Sequence, residues 1–219
     1  MKKGIIFDLD GTLWDSIDHV VESWNDVMRR EGYEKQITRD ELVKQVGKPM
    51  DVIMAEMAPE IPLDERTRLM DVCVRDENAY VAVHGGVLYP GLEDVLAELR
   101  GKYPLFIVSN CQAGYIEAFF TAHKLQKYFA DYECWGNTGL SKGENIRMVM
   151  RRNRLHRAVY IGDTAGDESA ARYAGIPFVF ASYGFGEAES PDGVISCLSE
   201  LPAVVGKLFG KRRRMNKKT

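Results

Sequence analysis

The chain has 219 residues, of which 45% are hydrophobic and 28% charged, with 29 Lys and Arg against 32 Asp and Glu. A chain of that length can bury roughly 70% of its unfolded surface without disulfides or a structural metal, and the composition excludes disordered, collagenous and coiled-coil classes. The net charge of −3 offers no overall field for a nucleic acid or a membrane surface.

In chain order, Gly4 to Asp8 reads as a first strand. Its apolar run, Ile5-Ile6-Phe7, is too short for a signal core or a membrane span, so a cytoplasmic location and no membrane partner are expected. From about Ser16 to Val83 the pattern is helical: Val20, Trp24, Val27 and Met28 share one face, as do Leu69, Val72 and Cys73. Turn signals at Gly32, at Gly47 with Pro49, and at Pro59 with Pro62 divide this stretch into roughly four helices. An all-helical cap over residues 16–85, inserted after the first strand, is the expected organisation, with residues 1–15 and 86–210 forming a discontinuous core.

Beyond the cap, short apolar runs alternate with helical patterns. Leu105–Val108, Ala158–Ile161 and Phe178–Ala181 read as buried strands. Leu92, Val95, Leu96 and Leu99 mark one helix, and Ile146, Val149 and Met150 mark another, opened by a Ser141/Glu144 capping box. That alternation predicts an α/β class with a parallel sheet covered by helices on both faces. Asp131 and Glu133, with no apolar run leading into them, read as solvated loop carboxylates.

Cys73, Cys111, Cys134 and Cys197 are widely spaced with no CxxC pair, which suggests a reducing compartment rather than a disulfide or zinc framework. Residues 211–219 carry six of the cations and no acid, leaving 23 cations against 32 acids in the rest of the chain, a balance of −9. The expectation for this tail is a disordered, solvated terminus without function.

The chemistry concentrates at strand ends. Asp8 and Asp10 lie two apart, so their carboxylates share a face and repel unless a cation sits between them. A hard, oxygen-seeking ion such as Mg²⁺ fits that need, and Gly11 permits a sharp turn after the strand. Asp163 and Asp167 follow another strand and lie four apart, on one side of any helix that starts there. Asp163 as a mere helix cap would account for one carboxylate of the four. Ligands bind outside the carboxyl ends of strands in open α/β sheets.

Ser109 and Asn110 end a third strand, where a hydroxyl and free helix N–H groups suit a phosphoryl group, although Ser-Asn also makes an ordinary helix cap. Lys142 follows the Ser141 cap, a place where a cation opposes the helix dipole. A function in balancing an aspartate and a phosphate would explain it. On that reading Lys142→Ala should cost activity with little loss of stability.

In order, DLDGT, VSN, SK and GDTAGD resemble the motifs of the haloacid dehalogenase superfamily of phosphohydrolases. The likeness is to the branch whose helical cap follows the first motif, as in phosphoglycolate phosphatases and β-phosphoglucomutase. It covers roughly Gly4 to Val194 and implies a Rossmann-like core. It implies Asp8 as the nucleophile that forms an aspartyl phosphate and Asp10 as the acid and base. Mg²⁺ would be held by Asp8, the backbone carbonyl of Asp10 and Asp163, with Asp167 behind them or reaching the ion through water. Ser109, Asn110 and Lys142 would serve the phosphoryl group, with Lys142 also holding Asp8. Lys48, in Gly47-Lys48-Pro49, matches a cap loop that contacts substrate, and His84 could be a hinge or pocket residue.

The resemblance implies a Mg²⁺-dependent phosphatase acting on a small phosphorylated metabolite of phosphoglycolate or sugar-phosphate type, as a monomer or dimer. A phosphomutase, handing the phosphoryl group to a sugar, is the alternative. A non-catalytic phospho-receiver module is a third reading, disfavoured because a receiver lacks both the D-x-D-G-T run and the cap.

Overall fold

The computed structural model describes residues 1–210, so the basic tail lies outside the described residues. The chain runs through β1 (Lys3–Phe7) and a short β2 (Trp14–Asp15) into four helices: α1 (Ile17–Arg30), α2 (Arg39–Val43), α3 (Met50–Met57) and α4 (Leu63–His84). It returns in β3 (Val87–Leu88), which pairs antiparallel with β2. Then follow α5 (Leu92–Arg100), β4 (Leu105–Ser109), α6 (Tyr115–His123), β5 (Phe129–Cys134) and α7 (Trp135–Thr138). The chain continues with α8 (Lys142–Arg152), β6 (Arg157–Gly162), α9 (Ala165–Ala174), β7 (Phe178–Ala181), β8 (Gly193–Ile195) and α10 (Leu201–Gly210).

Six strands form one parallel sheet in the order β5-β4-β1-β6-β7-β8. Side chains alternate across it, and both faces are apolar. Ile6, Phe106, Val108 and Tyr160 join Ile146, Val149 and Ala171 of α8 and α9 on one face. Ile5, Phe7, Ile107 and Val159 join Leu96, Phe119 and Val205 of α5, α6 and α10 on the other. Burial on both sides is why the central strands read as unbroken hydrophobic runs.

The strand order reverses at β1, whose neighbours are β4 and β6. Such a reversal opens a crevice at the carboxyl ends of these three strands, where Asp8, Ser109 and Asp163 stand. Over it lie the helices between β2 and β3. In α4 the buried residues are Leu69, Cys73, Glu77 and Val81, one row at four-residue spacing. A carboxylate thus stands where the helical pattern calls for an apolar side chain.

One sequence expectation is overturned. Asp131 and Glu133 belong to β5, the sheet's edge strand, and are not loop carboxylates. Arg152 joins them, with Nε 2.6 Å from Asp131 Oδ2 and one terminal nitrogen 2.7 Å from Glu133 Oε2. Glu133 is buried by this contact. An edge strand packs less apolar surface than a central one, so its sequence lacks the run that marks the others.

Candidate active site

Asp8 follows β1, and its N–H donates to Ile161 O of β6 at 2.8 Å, which fixes the backbone beside the Asp163 strand. One carboxylate oxygen each from Asp8, Asp163 and Asp167 lie within 4.8 Å of one another, and all three side chains are buried. Thr164 caps α9 and Asp167 completes the capping box, so the Asp167 carboxylate turns back over the helix start. Its Oδ2 accepts from Asp163 N at 3.1 Å, Thr164 N at 3.0 Å and Thr164 Oγ1 at 2.7 Å. Asp163 accepts from Phe185 N at 2.8 Å and Thr12 Oγ1 at 3.3 Å. Gly11 has φ +73°, and a Cβ there would meet Asp163 Oδ2 at 2.1 Å, so only glycine suits this turn.

Lys142 opens α8 and is buried among these acids, with Nζ 3.0 Å from Asp8 Oδ2 and 2.6 Å from Asp167 Oδ1. Burial works against its ammonium, yet Asp167 and Asp8 outweigh that and hold its pKa above the ordinary lysine value. The same burial, with the charges of Asp167 and Asp163, pushes the Asp8 carboxyl well up despite Lys142. Asp163 is raised to about 7, chiefly by burial and then by Asp167. One ammonium among three carboxylates leaves an excess of negative charge, and Asp8 and Asp163 respond by holding protons more tightly.

A metal fits this trio. Asp8 Oδ1 is buried with no hydrogen-bond partner among the described residues, and every donor offered is a carboxylate oxygen, the set that a hard divalent cation takes. Asp8, Asp163 and Asp167 are the side chains that would hold it. The Asp10 carboxylate stands apart from them. Its Oδ1 accepts from Trp14 Nε1 at 2.8 Å, Ser16 Oγ at 2.9 Å and Tyr115 OH at 3.1 Å. Burial raises the Asp10 pKa, and the Ser16, Tyr115 and Trp14 hydrogen bonds temper the rise. Trp14, Ser16 and Tyr115 were not singled out by the motifs; Tyr115 reaches Asp10 from 105 positions away along the chain.

Asp8, Asp10 and Ser109 share a cavity of about 590 Å³, its open mouth included, with residues of α1 to α4. Asn110 also lines it, and its Nδ2 donates to Gly47 O at 2.8 Å, which ties the β4 end to the 47–49 loop. Lys48 lines the cavity too, but its Nζ lies 2.6 Å from Glu56 Oε2 and 3.0 Å from Gln45 Oε1. His84 is exposed and stacks on Tyr80 with ring centroids 4.1 Å apart, outside the cavity lining. Glu77 lines the cavity from α4. The sequence signal for it was the Leu69, Cys73, Val81 row that it interrupts.

Among the described residues, no helix is long and apolar enough to cross a membrane. Residues 5–181 match the profile of a family described as haloacid dehalogenase-like hydrolase. A phosphoglycolate phosphatase of Rhodobacter capsulatus is 31% identical over 84% of this chain and 86% of its own length. Another, of Synechococcus elongatus, is 30% identical over 94% of this chain and 99% of its own. A solved haloacid dehalogenase-like hydrolase of Streptococcus pneumoniae superposes with a TM-score of 0.80 at 22% identity, covering 94% of this chain and 98% of that one.

Proposed function

Because this chain belongs to the haloacid dehalogenase-like hydrolases, we propose that it is a Mg²⁺-dependent phosphatase, cleaving a small phosphomonoester of phosphoglycolate or sugar-phosphate type through an aspartyl phosphate on Asp8. The observation that carries this reading is the buried Asp8 carboxylate, with one oxygen on Lys142 and the other unpartnered among the described residues. The names of the relatives favour the phosphomonoester class. Residues 16–85 act in this reading as a cap that closes the cavity.

A carboxylate attacks a phosphate ester poorly because the two anions repel. Lys142 lowers that repulsion at Asp8, and the Ser109 hydroxyl stands at the adjacent strand end to bind a phosphoryl oxygen. Bound Mg²⁺ supplies further neutralisation of the carboxylates and of the charge on the transferring group. An Asp8 oxygen forms the bond to phosphorus as the ester oxygen departs. That oxygen takes its proton from Asp10, whose raised pKa suits an acid. Three donors crowd Oδ1 of Asp10, which leaves Oδ2 to carry the proton. A water then attacks the acyl phosphate, gives its proton to Asp10, and inorganic phosphate leaves as Asp8 is restored.

The test is phosphate release from p-nitrophenyl phosphate by the native chain and by Asp8→Asn, with Mg²⁺ and with EDTA. The substitution should lower turnover roughly a thousandfold or more, and EDTA should silence the native enzyme. Native turnover in Asp8→Asn would remove the nucleophile. On a sugar phosphate, one phosphate released per substrate consumed marks a phosphatase, whereas isomer formed without phosphate marks a mutase.

A further inference from the structure

We propose that Glu77 selects esters whose leaving alcohol carries a hydrogen-bond donor, a hydroxyl or an ammonium, and rejects those that carry a carboxylate. This rests on the phosphatase reading above and narrows it to the sugar-phosphate type, setting the phosphoglycolate type aside for this chain although its relatives carry that name. Glu77 is 3% exposed and lies in the wall of the cavity that holds Asp8, Asp10 and Ser109. A leaving group attached to phosphorus at Asp8 has this cavity to occupy.

The carboxylate is held in one orientation. Trp24 Nε1 donates to its Oε2 at 2.6 Å, and Gln112 Nε2 donates to its Oε1 at 2.9 Å. A carboxylate has about four acceptor sites, so two donors leave capacity for more. Among the described residues no Lys or Arg pairs with it. A buried charge is ordinarily paired, and a side chain kept only to satisfy Trp24 could be neutral. An acceptor fixed in a ligand cavity without its own cation therefore awaits a donor from the ligand.

The rest of the wall supports the same choice. Ile17, Val20, Leu42 and Ile53 offer apolar contact to a carbon skeleton. Lys48 is the one Lys or Arg in the described lining, and Glu56 and Gln45 already hold it. A carboxylate on the leaving group would face Glu77 and Asp10 with no uncommitted cation among the described lining residues. Burial raises Glu77 to about 7, so at pH 8 it is largely ionised and the repulsion is present. Specificity built this way uses the repulsive element as much as the attractive one.

The experiment measures kcat/KM at pH 8 with Mg²⁺ for glycerol phosphate, phosphoethanolamine, phosphoglycolate and p-nitrophenyl phosphate, using the full chain and Glu77→Gln. In the native enzyme one donor-bearing ester should exceed phosphoglycolate by roughly tenfold or more, and which one wins identifies hydroxyl or ammonium. Glu77→Gln should narrow that ratio about tenfold, with phosphoglycolate gaining. Phosphoglycolate equal to or better than both donor esters in the native enzyme overturns the inference, and this arm does not depend on the variant folding. An unchanged ratio in a folded Glu77→Gln overturns it too. If p-nitrophenyl phosphate is also left intact by the native enzyme, the phosphatase reading falls and takes this inference with it.

Discussion

Oδ2 of Asp8 is held 3.0 Å from Nζ of Lys142, while Oδ1 of the same carboxylate has no hydrogen-bond partner among the described residues. The pair is buried, and Asp167 shares the ammonium at 2.6 Å. Helix position alone makes Lys142 look dispensable to the fold, but its burial between two acids reverses that expectation. Removing one member of a buried ion cluster strands the others. Lys142→Ala should therefore lower stability in EDTA by roughly 3 kcal/mol or more and lower turnover by about two orders of magnitude. Urea unfolding checks the first, with Mg²⁺ recovering part of the loss; an unchanged midpoint in EDTA would contradict the buried-pair account.

Divalent metal and protons should compete at the acidic trio. Asp8 and Asp163 have raised pKa values, Asp163 to about 7, so the metal-free fold binds protons that the unfolded chain releases. The contribution of Asp163 to stability is present at low pH and is lost as pH rises through about 7, and that of Asp8 has the same sign. Mg²⁺ needs the deprotonated ligands and should bind better on the alkaline side. The rise in Tm on adding Mg²⁺ should thus be larger at pH 8 than at pH 6, approaching about 2.7 kcal/mol of stabilisation at a hundredfold excess over Kd. Asp163→Asn should shrink it; an equal rise at both pH values argues against metal at this trio.

What the sequence made legible follows burial symmetry. β1, β4, β6 and β7 are covered on both faces and show as apolar runs, whereas β5, with Asp131 and Glu133 pointing to Arg152, hides its strand character. Asp8, Asp10, Asp163 and Lys142 announced themselves through motif spacing and through charge placement that local structure disfavours. Glu77 left only the gap it makes in the Leu69, Cys73, Val81 row, because a lone acid in a helix reads as a solvated side chain until its neighbours are known. Tyr115 was silent, since its value comes from α6 bringing it to Asp10, a relationship between distant segments.

Tyr115 offers a test of how Asp10 is tuned. Its hydroxyl lies 3.1 Å from Asp10 Oδ1 and 2.7 Å from Ser16 Oγ. Its hydrogen bond lowers an Asp10 pKa that burial raises, so Tyr115→Phe should push that pKa further up. Breakdown of the phosphoryl-enzyme needs Asp10 ionised to accept the water's proton. The acid limb of the kcat profile should then move to higher pH, with kcat near neutrality falling several-fold. A lower kcat with an unmoved limb would assign Tyr115 to packing alone.

Glu77 should leave its own mark on stability. Its carboxyl is raised from 4.5 to about 7, with burial as the first cause and the Trp24 and Gln112 hydrogen bonds opposing it. The folded state therefore holds a proton that the unfolded chain gives up, which stabilises the fold at acid pH and is lost as pH rises through about 7. The full span corresponds to about 3 kcal/mol. Glu77→Gln cannot titrate, and its amide can pair with Gln112 once that side chain turns over. Between pH 5 and pH 8, in EDTA, the stability of Glu77→Gln relative to native should climb by up to that amount, several degrees in Tm for a chain of this size. Measuring the difference cancels the same-sign contributions of Asp8 and Asp163; two melting curves that stay parallel across this range would show that Glu77 is ionised throughout and that burial does not govern it.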